Sequence, residues 1–363
     1  MQERKTIQEL AVEIARQAKE KRDFVVPSPK MQMVIEGNAP MIEMPVNGGR
    51  ERWGINNYAN AQIAAKLQIP KPYYDRMMQN APDLLAQNVN RWLVAQPKTN
   101  LVRTLDGNVR AFLSDRYRPL DNDVMFEALY PQLERAGVEI KSCEITPTRL
   151  YLQVVSANVQ AVVPSRRGEV IQAGLCITNS EVGAARLLFE NLLYFLSCLN
   201  GAIGKHVFQK QHSGSRLGNP DEIINGMELS AFSDRTRMLD DRTTLSMIED
   251  SAKKALSQLT LDSTVKMLDD STRRYVPVAA VTDTISEVTK RFMLTEKEGE
   301  GVLSRLISGA DLTQYGLSAA ITNLANSTEE VEDYDRVIEL ERVGHDLLEA
   351  NDQLWQEITK KAA

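Results

Sequence analysis

Cysteine, histidine and aromatic residues are scarce in this chain of 363 residues, and each shortage removes a class of chemistry. Three cysteines, Cys143, Cys176 and Cys198, sit inside apolar segments without paired spacing. That excludes a disulfide framework and predicts reduced, buried thiols. Three histidines leave little room for metal or acid/base chemistry. No run of 18 apolar residues occurs, so no membrane partner is expected. The opening Met1-Gln2-Glu3-Arg4-Lys5 leads into an amphipathic stretch rather than an apolar signal core, which predicts a cytoplasmic setting. Fixed-period repeats and low-complexity tracts are missing.

Familiar catalytic motifs are missing too. Gly201-Ala202-Ile203-Gly204-Lys205-His206 echoes a phosphate loop, but the glycine spacing is wrong and no Ser or Thr follows the lysine. Cys198, His206 and His212 lack the close spacing of a zinc chelate. No G-x-S-x-G elbow is present. Acid pairs such as Asp121/Asp123 and Asp269/Asp270 read as helix caps and solvated surface. No catalytic residue, no metal and no cofactor is therefore assigned.

What is there is an ordinary globular composition, 43% hydrophobic and 25% charged, with a length that suits two or three domains. Thr6-Ile7-Gln8-Glu9 is a capping box opening a helix to about Arg22. Residues 23–50 hold four prolines and Gly48-Gly49 and read as an irregular arm, with methionines that plug gaps against a core. Three helices fit 57–94, broken at Pro70, Pro72 and Pro82. From about 99 the apolar period becomes two. Strands on either side of Asp106-Gly107 make a hairpin, a helix spans Asp123–Ala136, and strands follow at 138–145, 149–156 and 169–178. Residues 184–203 are so apolar that periodicity leaves helix and strand both open. Beyond Gly218 the pattern is helical, with capping boxes at Thr295/Glu298 and Ser327/Glu330. A final heptad-like stripe runs through Val337, Leu340, Gly344, Leu347, Asn351, Leu354 and Ile358, either an oligomer seam or a docking face. The expected fold is α+β: residues 1–94 as helix, Pro-rich arm and helical segment, 95–217 as a mostly antiparallel sheet domain, and 218–363 as an acidic helical domain.

Charge is uneven. Residues 1–217 carry a net +6 and residues 218–363 a net −12. The front part could meet a polyanion, and the acidic part a basic partner or the protein's own basic face; both could equally be solvated surface. The cations and rings of the sheet region are Arg110, Arg116, Tyr117, Arg118, Arg149, Arg166, Arg167, Arg186, Lys205, His206, Lys210, His212 and Arg216. Cations tracking phosphates, with rings stacking on bases, are what a single-strand groove needs. Asn179-Ser180-Glu181-Val182-Gly183 reads either as a functional loop or as a turn satisfied by its own Asn and Ser.

Leu113–Asn122, Asn179–Gly183, Cys198 with Asn200-Gly201, and the ending His212-x-Gly214 together resemble the phage/plasmid-like protein family (domain of unknown function family 932) over about Tyr58–Gly214, with a weaker echo near Tyr315–Asn326. Ser114, Asp115, Arg116, Tyr117, Asn179, Glu181, Gly183, Asn200 and Gly201 carry the match. Ser180 shares the Asn179–Gly183 loop. The resemblance implies a mobile-element protein in a bacterial host cell and supplies no reaction. The element order β-β-α-β-β-β followed by acidic helices is similar to phage single-strand annealing proteins, a fold-level analogy. The expected function is cofactor-free binding of single-stranded DNA or RNA, in annealing or protection of replication and recombination intermediates. A homo-oligomer is expected, with a protein partner through the acidic C-terminal helices. The alternatives are a structural or assembly protein of a phage or mobile element, and a metal-dependent nuclease or nucleotide-modifying enzyme.

Overall fold

The computed structural model describes residues 6–37, 39–166, 168–196, 200–210, 223–224, 227–228, 234–327 and 333–360. It is α+β, with two mostly antiparallel sheets and a helical C-terminal region.

The first sheet departs from the expected irregular arm. Residues 22–55 form four strands, β1 (Arg22–Pro27), β2 (Gln32–Glu36), β3 (Ala39–Val46) and β4 (Gly49–Ile55). The expected hairpin is present as β5 (Thr99–Leu105) and β6 (Asn108–Ser114), and the sheet order is β1-β5-β6-β4-β3-β2. The prolines do not break it because Pro27 ends β1, Pro29 lies in a turn, and Pro40 and Pro45 stand one residue in from the ends of β3. A lost ladder bond costs least there. Asn47 and Gly48, both at positive φ, make the tight two-residue turn between β3 and β4. Ile42, Met44 and Val46 alternate inward on β3. Helices α2 (Asn57–Lys66), α3 (Lys71–Asn80) and α4 (Pro82–Ala95) close this core with Ile63, Tyr74, Leu85 and Val89, and Met31, Met33 and Met44 fill it. Tyr73 and Trp92 stay at the surface.

The second sheet is an antiparallel meander of β7 (Val138–Ile145), β8 (Leu150–Val162), β9 (Val170–Asn179), β10 (Leu187–Phe195) and β11 (Asn200–Lys210). The ambiguous 184–203 segment is thus mostly strand, and its continuous apolar character has a cause: this sheet is covered on both faces. On one face lie α1 (Ile7–Glu20), α5 (Asn122–Arg135) and α6 (Asp234–Ala255), packed through Leu10, Ile14, Leu129, Leu133, Ile248 and Ala252. On the other lie α7 (Gln258–Ser271), α10 (Gln314–Ala325) and α11 (Tyr334–Leu348), through Leu261, Leu268, Tyr315, Ile338 and Leu348. Helices α8 (Val281–Arg291), α9 (Glu296–Gly309) and α12 (Asp352–Thr359) complete a helical core with α10 and α11. The capping boxes at Thr6 and Thr295 form as expected; Glu330 lies outside the described residues.

The heptad-like stripe is not one helix. Asn351 accepts a hydrogen bond from the Leu354 amide at 2.9 Å and opens α12, so the stripe is cut between Leu348 and Asp352. Leu340, Leu347 and Ile358 are spent on the core of the same chain. Gly344 lets α11 approach α10, since a Cβ there would stand 2.4 Å from Thr322 Cγ2. On β11, a Cβ at Gly204 would meet His345 Nε2 at 2.7 Å, so this glycine admits α11 over the strand.

Where α11 crosses β11, Glu341 is buried and accepts a hydrogen bond from Gln153 Nε2 at 2.6 Å. Burial pushes its carboxyl up to about 8, against the pull of Gln153 and Arg342. The folded chain keeps this proton at pH values where an ordinary glutamate, near 4.5, has lost it. Its contribution to stability is therefore full below about 4.5 and is lost as the pH rises through about 8. Glu341→Gln should flatten the decline in unfolding free energy between about pH 5 and about pH 8, by on the order of 2–4 kcal/mol. Chemical denaturation at both pH values reads this, and parallel wild-type and variant profiles would contradict the assignment.

Candidate functional site

The two loops with the most distinctive sequences fold onto each other. The first, 114–122, leaves β6 for α5; the second, 179–186, joins β9 to β10. Asn179 at the end of β9 donates from Nδ2 to the Leu120 carbonyl and to Asn122 Oδ1, each at 2.9 Å. Glu181 accepts from the Asn122 amide at 2.7 Å and from Arg110 Nη1 at 2.6 Å. The Ser180 hydroxyl donates to the Thr148 carbonyl at 2.7 Å and accepts from the Ala184 amide at 2.9 Å. Gly183 turns the chain at a φ of 82°, a conformation that favours glycine.

Beneath the loops lies a charged network. Arg103 on β5 is fully buried; it donates to Asp23 at 2.9 Å, to Asp121 at 2.9 Å, and to the Glu181 carbonyl at 2.7 Å. Lys21 donates to Asp121 at 2.8 Å and Asp123 at 2.6 Å, with Glu181 at 3.9 Å. Burial alone would raise the Asp121 carboxyl, but Arg103 and Lys21 outweigh it and hold it below its ordinary value. Burial would likewise lower Lys21, and Asp121 and Asp123 more than offset that. Asp121 is therefore a half-buried ion-pair partner, not the solvated cap expected. Asp121, Asp123 and Glu181 have the spacing of a cation site, but Lys21, together with Arg103 on Asp121 and Arg110 on Glu181, already pairs with them. Gln62 of α2 completes the junction, donating to the Val182 carbonyl at 2.9 Å and accepting from the Phe112 amide at 2.7 Å.

The structure sorts the expected binding residues into three groups. Tyr117 is 2% exposed, packed with Leu101, Ala111, Leu113 and Val182, and donates to the Ser180 carbonyl at 3.2 Å. It is a pillar between the loops, not a ring on which a base could stack. Arg110, 6% exposed, is the partner of Glu181. Arg116 and Arg118 on the first loop and Arg186 on the second are exposed.

The rest are engaged elsewhere. Arg149 pairs with Asp335 and donates to Tyr151 Oη at 2.9 Å and the Ala184 carbonyl at 3.1 Å. Arg166 pairs with Asp311 and lies 4.3 Å above the Tyr315 ring. Lys205 meets Glu349 at 3.0 Å, and Lys210 meets Asp240 at 2.7 Å. His206 Nδ1 lies 3.2 Å from buried Glu190, which Arg342 also grips at 2.8 and 2.6 Å. One continuous furrow of cations is thus not formed among the described residues. Asp335, Asp311, Glu349 and Asp240 all come from the acidic C-terminal region, which meets the protein's own basic face. Asn200 and Gly201 lie on β11, Gly201 beneath Glu341, apart from the loops. Arg167, His212, Arg216 and Cys198 lie outside the described residues.

Sequence reasoning missed Arg103, Lys21 and Gln62. Arg103 carries a signal: a lone arginine between Leu101-Val102 and Thr104 in a strand has to find buried carboxylates. Lys21 and Gln62 carry none, because a lysine ending a helix and a glutamine within one are commonplace.

No family model matches the chain, no curated protein matches it, and no solved structure matches it.

Removing the Glu181 carboxylate strands Arg110 and loosens Lys21. Glu181→Ala should destabilise the fold by about 3–5 kcal/mol, the range for breaking a buried pair from one side. Tyr117→Phe, which deletes one hydroxyl bond, should cost only about 1 kcal/mol. Urea unfolding distinguishes these, and a Glu181→Ala loss no larger than that of Tyr117→Phe would show that the network does not hold the loops.

Proposed function

We propose that the protein binds single-stranded nucleic acid through phosphate contacts on the joined loops. The observation that carries this reading is that Arg116, Arg118 and Arg186, from segments about 70 residues apart in sequence, are exposed on two loops stitched together by Asn179 and Glu181. A loop clamped from below presents its cations with little ordering left to lose on binding. Guanidinium groups suit phosphate oxygens geometrically.

This interface is smaller than the groove expected from sequence. With Tyr117 buried, stacking contributes nothing from that ring, so binding rests on charge and carries little base preference. The reading includes the mobile-element context implied by the resemblance in Leu113–Asn122 and Asn179–Gly183. It requires no metal: Asp121, Asp123 and Glu181 are occupied by arginine and lysine.

An anisotropy titration with a labelled single-stranded oligonucleotide at several salt concentrations tests the proposal. Arg116→Glu/Arg118→Glu/Arg186→Glu should weaken binding at least tenfold and lower the salt slope by about 2, near 0.7 per lost phosphate contact. Lys205→Glu and Lys210→Glu, whose side chains already meet carboxylates, should change it little. Equal loss in both sets, or no loss in the triple variant, would remove the loops from the interface.

A further inference from the structure

A cavity of about 320 Å³ opens where the two sheets meet. Its lining includes Arg110 from β6, Arg149 and Thr148 from the β7–β8 turn, Asn56 before α2, Asn108 at the start of β6, and Asn122 at the start of α5. Glu181 and Asp106 also line it, and both are already matched, Glu181 by Arg110 and the Asn122 amide, Asp106 by Arg16 at 2.8 Å.

Arg110 is more than nine-tenths buried, and only its Nη1 is used, on Glu181. Its Nε and Nη2 have no hydrogen-bond partner among the described residues, and neither has Arg149 Nε. The Arg110 guanidinium is therefore spent on a carboxylate at Nη1 and unspent along its Nε/Nη2 edge, while Arg149, engaged at both Nη1 and Nη2, has only Nε unspent. Buried donors of this kind are satisfied as a rule, so an exception calls for an occupant. The Nε/Nη2 edge offers two parallel N–H bonds, whose complement is a pair of oxygens on one carbon or phosphorus atom. Asparagine and threonine side chains around the arginines add neutral polar groups that suit the remainder of a polar ligand. The volume lies at the lower end for small-molecule sites and exceeds what a bare ion fills.

We infer that this cavity is a binding site for a small organic oxyanion, a phosphomonoester or a carboxylate, seated on the free edge of Arg110 beside Arg149. The site is separate from the surface arginines of the loops, and its occupancy does not depend on binding of a strand.

Thermal shift and calorimetry on the full chain at constant ionic strength test this, with glycerol phosphate and succinate as the two probes and chloride as the control. One probe should raise the melting temperature saturably in the millimolar range or below. Glycerol phosphate alone would identify the phosphomonoester source, and succinate alone the carboxylate source. Arg110→Lys keeps a cation for Glu181 but lacks the planar fork, and should weaken the apparent affinity at least tenfold. Thr148→Trp, which narrows the cavity at its turn and leaves both arginines in place, should do the same. Arg116→Glu should leave the response intact. Wild-type protein that ignores both probes, a response unchanged in Arg110→Lys and Thr148→Trp, or one abolished by Arg116→Glu would each overturn the inference.

Discussion

The junction of the two sheets depends on Glu181. Its carboxylate is buried between Arg110 of the first sheet and the Asn122 amide that opens α5, and its own carbonyl receives Arg103. A charge in such a place is costly unless its partners arrive in register. Apolar packing alone would tolerate some sliding between the sheets. The geometry of Arg103, Arg110, Lys21 and Asp121 does not, because a shift of an ångström or two would leave charged groups unmatched. The exposed arginines of the two loops inherit their positions from this buried arrangement.

The second sheet owes its stability to a different principle. Helices cover both of its faces with apolar side chains, and the ion pairs from Arg149, Arg166, Lys205 and Lys210 to Asp335, Asp311, Glu349 and Asp240 ring that contact. Those that remain exposed add little energy each. Their consequence is for electrostatics: part of the positive charge of the front part is compensated within the chain.

Much of the secondary structure was legible because it rests on local chemistry. Asp106-Gly107 demanded a hairpin, Pro70 and Pro82 parted three helices, and Thr6/Glu9 capped the first. Residues 23–50 read as an irregular arm because four prolines outweigh Asn47-Gly48, which is itself a strong hairpin signal flanked by alternating Ile42, Met44 and Val46. The stripe from Val337 to Ile358 does not reveal the break at Asn351, whose capping role depends on a local turn that periodicity does not see. The site was legible as two motifs but not as one object. Nothing in the spacing of Tyr117 says that its ring faces Val182 rather than solvent, and the pairing of Arg110 with Glu181 spans 71 residues. The charge asymmetry was visible from composition; that it is partly satisfied inside one chain required the fold.

The most direct measure of the central claim is the coupling energy between Arg110 and Glu181, from a double-mutant cycle with Arg110→Met, Glu181→Gln and the pair, read by equilibrium unfolding. A buried, hydrogen-bonded pair that fixes the junction predicts a coupling of about 2 kcal/mol or more, with the double variant recovering much of what either single variant loses. A coupling below about 0.5 kcal/mol, the scatter of independent sites, would mean that the sheets meet without this contact.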